Sequence, residues 1–241
     1  MLADSSFPSP FGSLAPDLHL PGTAKHQLFT FIANELPCWR DRPDRPPATA
    51  ETELTSLLCA HLNDAARFSD GWSRIQFLPE EPDEIRKGRK IDLSPKPLGT
   101  TIVIEGRRHT LFDKLFPVEC KRLPMPDPSN AKRDEWEYVV NRNGSTGGIQ
   151  RFKEANHGAD HSFAGMIGFI QDESDGPAWL AHVNGWITEL CKEDNSTWSE
   201  TEQLTVISHT KRQKLLCCQS NHDRPSLGSK IEINHAWIEM N

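Results

Sequence analysis

The sequence predicts an α/β fold, a central mixed β-sheet flanked by helices, and three observations carry that expectation. Two stretches near the start space their apolar residues at helical intervals. The middle of the chain then breaks into short strand-like runs. The run from Phe163 to Ile170 is apolar throughout, which suits a strand buried on both faces.

The elements follow in order. Residues 1–24 are rich in Pro, Ser and Gly and read as a loose arm or an extended wrap, with residues 25–241 as one domain. Lys25 to Leu36 predicts a first helix on Leu28, Phe29, Ile32 and Leu36. A Pro- and Arg-rich linker is expected from Pro37 to Pro47. Thr49 to Arg67 is the clearest helix, its stripe formed by Leu54, Leu57, Leu58, Leu62 and Ala65. Strands are expected over Arg74–Leu78, Lys90–Leu93, Thr101–Glu105 and Phe116–Leu123, with a polar loop from Pro82 to Lys90. Gly147-Gly148 opens a helix through Asn156. Pro177 to Lys192 reads as another, with Pro in the first turn. Lys214–Gln219 and Ile231–Glu239 close the chain as strands. Helix, strands, helix, strand, helix, strands is the order of a mixed sheet covered by helices.

The 241 residues suffice for one sizeable core. A balance of 27 basic against 34 acidic residues, net −7, argues against coating nucleic acid by bulk attraction. A reader of DNA would need a local basic face. Lys87, Arg89, Lys90, Arg107, Arg108, Lys121, Arg122, Lys132, Arg133 and Arg151 are candidates for one. The six cysteines show neither CxxC pairs nor ligand-like His spacing, so they read as reduced packing residues of a cytoplasmic protein. No run approaches membrane-spanning length, and no secretion signal precedes the first helix. Trp136, in a polar stretch, is a candidate base-stacking or lid residue, and residues 141–148 a candidate mobile loop.

Chemistry concentrates at Phe116 to Leu123. Residues two apart on a strand share a face, so Val118 and Cys120 would point into the core while Glu119 and Lys121 project together. A carboxylate there can bind a hard cation such as Mg²⁺, with the Cys120 carbonyl as a further oxygen ligand. The lysine can orient water or stabilise developing negative charge. Asp92 stands between Ile91 and Leu93 and therefore faces away from their side. On the Thr49 helix Glu51 lies nearer the apolar stripe than Glu53, and so is better placed to reach the sheet. The literal Pro82-Asp83 pair lies in a polar loop and is set aside.

Together these residues resemble the PD-(D/E)xK nuclease superfamily. Its pattern is a helix with Glu, a strand with Asp, a strand with (D/E)xK and a helix with a polar residue. Here those positions fall on Glu51 (or Glu53), Asp92, Glu119-Cys120-Lys121 and Gln150. The resemblance implies a restriction-endonuclease-like fold and Mg²⁺ held by Asp92 and Glu119, with Glu51 and Cys120 as further ligands and Mn²⁺ able to substitute. It also implies Lys121 assisting the attacking water and Gln150 positioning a phosphate. The activity implied is endonucleolytic hydrolysis of DNA in a restriction or antiphage setting, by a homodimer or with a partner subunit. RNA remains an alternative target, and a catalytically inactive nuclease-fold scaffold is the alternative function. Two departures stand out. The Asp92-to-Glu119 interval is long for the family, which leaves Asp113 as a substitute. Arg151-Phe152 follows Gln150, which disfavours a processive exonuclease.

Overall fold

In a computed structural model of the chain, the residues described are 18–20, 24–85, 87–123, 136–142, 144 and 147–241. The expected arm lies outside them except for a short strand and Ala24, and Lys132 and Arg133 also lie outside.

The elements are β1 (Leu18–Leu20), α1 (Ala24–Arg40), α2 (Glu51–Arg67), β2 (Ile75–Pro82), β3 (Lys90–Pro97), β4 (Ile102–Ile104), β5 (Arg107–His109), β6 (Val118–Leu123), α3 (Gly148–Lys153), β7 (Phe163–Ile170), α4 (Gly176–Leu190), β8 (Thr205–Thr210), β9 (Leu215–Arg224) and β10 (Ser229–Glu239). Seven strands form the main sheet in the order β2-β3-β6-β7-β10-β9-β8. The β6–β7 and β7–β10 pairs are parallel and the others antiparallel. The architecture is therefore α/β with a mixed sheet flanked by helices, as the sequence predicts.

Period-two alternation divides the core between the two faces of the sheet. Val118, Cys120, Ile167 and Phe169 meet α1 and α2 on one side. Leu123, Ala164, Met166, Ile170 and Trp237 lie under α3 and α4 on the other. All of β7 is buried, in keeping with its unbroken apolar run. Cys217 and Cys218 fall on opposite faces, and all six cysteines are free.

Several boundaries differ from expectation. Helix α1 continues through Pro37 to Arg40, where a linker was expected. Proline inside a helix costs about 3 kcal/mol. The burial of Leu36 and Trp39, the latter against Phe169 at 5.5 Å, offsets that cost. The Thr101–Glu105 strand is β4, and it belongs to a separate three-stranded sheet, β1-β4-β5, rather than to the main one. Strand β8 was not foreseen. Its side chains are exposed apart from a partly exposed His209, so alternation leaves no trace in its sequence. Trp136 is buried and stacks on Trp186 at 5.9 Å, with the Arg142 guanidinium over its ring, so it is a core residue and not a lid. Among the described residues no helix is long and apolar enough to cross a membrane.

Gly168 lets Trp237 lie against β7: a Cβ there would come within 2.5 Å of Trp237 Cδ1. Gly168→Ala is expected to cost about 1–3 kcal/mol through overpacking. A urea denaturation midpoint equal to that of the unsubstituted chain would refute this close fit.

Candidate active site

Strands β3 and β6 share a single rung, Leu93 with Val118, and then part. Beyond that rung two carboxylates replace the missing ladder. Asp92 Oδ2 accepts from the Cys120 amide at 2.8 Å, and Glu51 Oε2 accepts from the Arg122 amide at 3.3 Å. The N–H and C=O of one strand residue face the same edge, so the Cys120 carbonyl faces this gap too. Glu51 reaches it from the first turn of α2. Thr49, which precedes the Ala50 N-cap of that helix, is held through its carbonyl by Arg122 Nη1 at 3.3 Å and Gln171 Nε2 at 3.1 Å.

Lys121 Nζ stands at the centre. It lies 3.0 Å from Glu51 Oε1, 3.7 Å from Glu119 Oε2 and 4.0 Å from Asp92 Oδ2. Three elements far apart in sequence thus bring carboxylates to one ammonium. Glu119, wholly buried, is held on its other side by α3 and the loop after it. Arg151 Nη1 donates to Oε2 at 2.7 Å, and His157 Nδ1 lies 2.5 Å from Oε1.

The ionisation of these groups follows from burial set against neighbouring charge. Burial pushes Glu119 up, but His157, Arg151 and Lys121 outweigh it and hold the carboxylate down at about 2. Burial lowers Lys121, and the charges of Glu51, Asp92 and Glu119 overcome that, leaving it firmly protonated. Burial raises Asp92 to about 8, reinforced by the Glu119 charge and opposed by Lys121 and the Cys120 amide. The Asp92 side chain keeps 27% of its exposure, so it is the carboxylate of the cluster most open to solvent.

Beside the cluster a cleft of about 630 Å³ opens between the start of α2 and β2–β3, with Glu51 and Asp92 in its wall. The charged residues lining it are Glu51, Glu53, Glu80 and Asp92, all acidic. The cleft therefore attracts cations and does not by itself attract a polyanion. No ready cage of three or more His, Cys, Asp or Glu stands among the described residues, where Lys121 occupies the meeting point of the carboxylates.

Of the residues singled out in the sequence, Glu51, Asp92, Glu119, Cys120 and Lys121 come together. Glu53 is exposed on the cleft wall, and Asp113 caps a turn at Thr110 Oγ1, 2.8 Å away. Gln150 does not join the cluster. Its amide accepts from Asn141 N at 3.1 Å and donates to Glu154 at 2.8 Å. Arg151, the next residue, faces Glu119 instead. Asp83 accepts from Gly158 N at 3.1 Å and so supports the loop that carries His157. His157 carried no spacing signal; only the folding of that loop against β6 brings it to Glu119. Five of the described basic residues do not share one surface: Lys121 and Arg151 turn inward, Lys90 pairs with Glu80, and Arg107 and Arg108 lie on the second sheet.

No protein-family model matches the chain, and neither a curated protein nor a solved structure does.

A carboxyl whose folded pKa exceeds its unfolded value near 3.9 is stabilised by its proton. Its contribution is full below about pH 4 and is lost progressively as pH rises from there through about 8. Asp92→Asn keeps an acceptor for the Cys120 amide and removes the charge. The variant is expected to be more stable than the unsubstituted chain at pH 8.5 by about 1–3 kcal/mol, with the gain vanishing near pH 4. Urea melts at both pH values measure this, and a gain independent of pH would contradict the assignment.

Proposed function

We propose that the chain is a Mg²⁺-dependent endonuclease of PD-(D/E)xK type and restriction-endonuclease-like fold, hydrolysing DNA phosphodiester bonds. The observation that carries this reading is the meeting of Glu51, Asp92 and Glu119 at the Lys121 ammonium, all within 4.0 Å of it. Those residues come from a helix, a strand and a second strand, in the order of the family pattern.

The donor set fits a hard cation: carboxylate oxygens of Asp92, Glu119 and Glu51, and the Cys120 carbonyl. Burial and, after it, the neighbouring Glu119 carboxylate raise the proton affinity of Asp92, and a divalent cation relieves that repulsion. Mg²⁺, or Mn²⁺ in its place, would polarise the scissile phosphate and stabilise the leaving oxygen. Lys121, charged at neutral pH, acts as a donor: it orients the attacking water and stabilises negative charge developing on phosphate. Arg151 holds Glu119 ionised and fixes its direction. A restriction or antiphage role follows from the family resemblance alone.

A second reading, a catalytically inactive scaffold or nucleic-acid-binding subunit, draws on one observation. Both Glu119 oxygens are already engaged, by Arg151 and His157, and the cleft is acidic. Incubation of plasmid DNA, single-stranded DNA and RNA with Mg²⁺ or Mn²⁺ separates the two. The enzyme reading expects metal-dependent cutting that Lys121→Ala lowers by about 10²–10³. Cutting that survives that substitution removes the proposed mechanism, and no cutting by either protein favours the scaffold.

Metal binding has its own readout. Below pH 8 Asp92 must release its proton to coordinate, so Mg²⁺ titrated at pH 7 is expected to displace close to one proton per ion. Calorimetry in buffers of differing ionisation enthalpy counts that proton, and Asp92→Asn should abolish its release.

A further inference from the structure

The two edges of the main sheet are treated differently by the sequence. At one end, β2 carries Pro79, Pro82, Glu80 and Glu81, and Glu80 has a φ of 53° that interrupts its pairing with β3. Prolines, charges and irregular backbone are the usual means of blunting an edge against further strands. At the other end β8 has none of the first two: Thr205, Val206, Ile207, Ser208, His209 and Thr210 include neither proline nor a carboxylate, lysine or arginine. Val206 and Ile207 are 52% and 58% exposed, and β9 takes only one edge of the strand. A bulge between Val206 and Ser208 takes Ile207 out of register with β9, and Ile207 lines a groove of about 280 Å³ shared with Phe29 and Ala33 of α1.

Charge selects the occupant. Glu200 opens the short 3-10 turn that leads into β8, and Lys211 and Arg212 directly follow the strand, all exposed and with no ion-pair partner among the described residues. An antiparallel copy of the same strand sets the basic end of each against the acidic end of the other. A parallel copy would oppose like charges. Antiparallel pairing of identical strands is also the arrangement that closes on a two-fold axis.

We propose that β8 pairs antiparallel with β8 of a second copy of this chain, joining two seven-stranded sheets and covering Val206 and Ile207. The main-chain hydrogen bonds of the new rungs supply affinity, and the groove beside α1 receives apolar side chains from the facing strand. This interface stands independently of the nuclease reading, since none of the cluster residues takes part.

Sedimentation velocity over a micromolar concentration range tests it. The unsubstituted chain is expected to dimerise. Ile207→Lys, or Val206→Lys at the neighbouring exposed position, should raise the dissociation constant about tenfold or more. Lys211→Glu with Arg212→Glu should weaken the dimer, and adding Glu200→Lys to that pair should restore it. Thermal melts followed by circular dichroism confirm folding of each variant. A chain that is monomeric throughout overturns the proposal, as does a dimer indifferent to Ile207→Lys and Val206→Lys. Charge reversal without rescue overturns the antiparallel arrangement.

Discussion

The position of the Lys121 ammonium constrains much of what surrounds it. Its side chain is buried within the sheet, and a buried cation without partners would be expensive. Its neutralisation draws the first turn of α2, the beginning of β3 and its own strand to one point. Taken as charged groups, Glu51 and Glu119 balance Lys121 and Arg151. Asp92 is then the carboxylate in excess. Burial first, and that surplus second, keep its proton well above the ordinary range, and the surplus gives the cluster room for one more positive charge.

The splay of β3 from β6 follows from the same demand. A continued ladder would satisfy the Cys120 and Arg122 amides with backbone carbonyls and leave no gap. Side-chain carboxylates satisfy them instead, so the edge of β6 becomes a polar pocket floor without orphaned donors. Sites built this way exchange some stability for a preformed concentration of charge.

Behind the cluster a second set of buried polar groups holds α3 and its following loop. Arg224 donates to the carbonyls of Phe152, Gly158, Ala159 and His161, which fixes the turn bearing His157. Lys153 of α3 bonds Glu202 at 2.6 Å. A further line runs from Trp237 to Tyr138, His235, Ser220 and His222, with links of 2.7 to 2.8 Å. Burial keeps both histidines below their ordinary pKa; His235 bonds through both ring nitrogens, and His222 bonds through Nε2 with its Nδ1 3.5 Å from Glu202 Oε2. Such buried networks specify one arrangement of the elements that carry them. Here they hold the helix that places Arg151 against Glu119.

The sequence by itself determined the α/β class and most elements. The apolar run of β7, the stripe of α2 and the alternation around Glu119 are local periodicities that burial imposes directly on composition. It also placed Glu51 nearer the sheet than Glu53, because angular position on a helix is set by residue number alone, but left either as the ligand. Tertiary structure decided what has no local period. Trp39 carried α1 past Pro37 by burying against β7. Pairing with β9 made a strand of the exposed β8, and the fold turned Arg151, rather than Gln150, toward the carboxylates. His157 joined them from a loop whose only determinant is what it packs against. Contacts between residues distant in sequence leave no spacing to read, and the centre of this site is made of them.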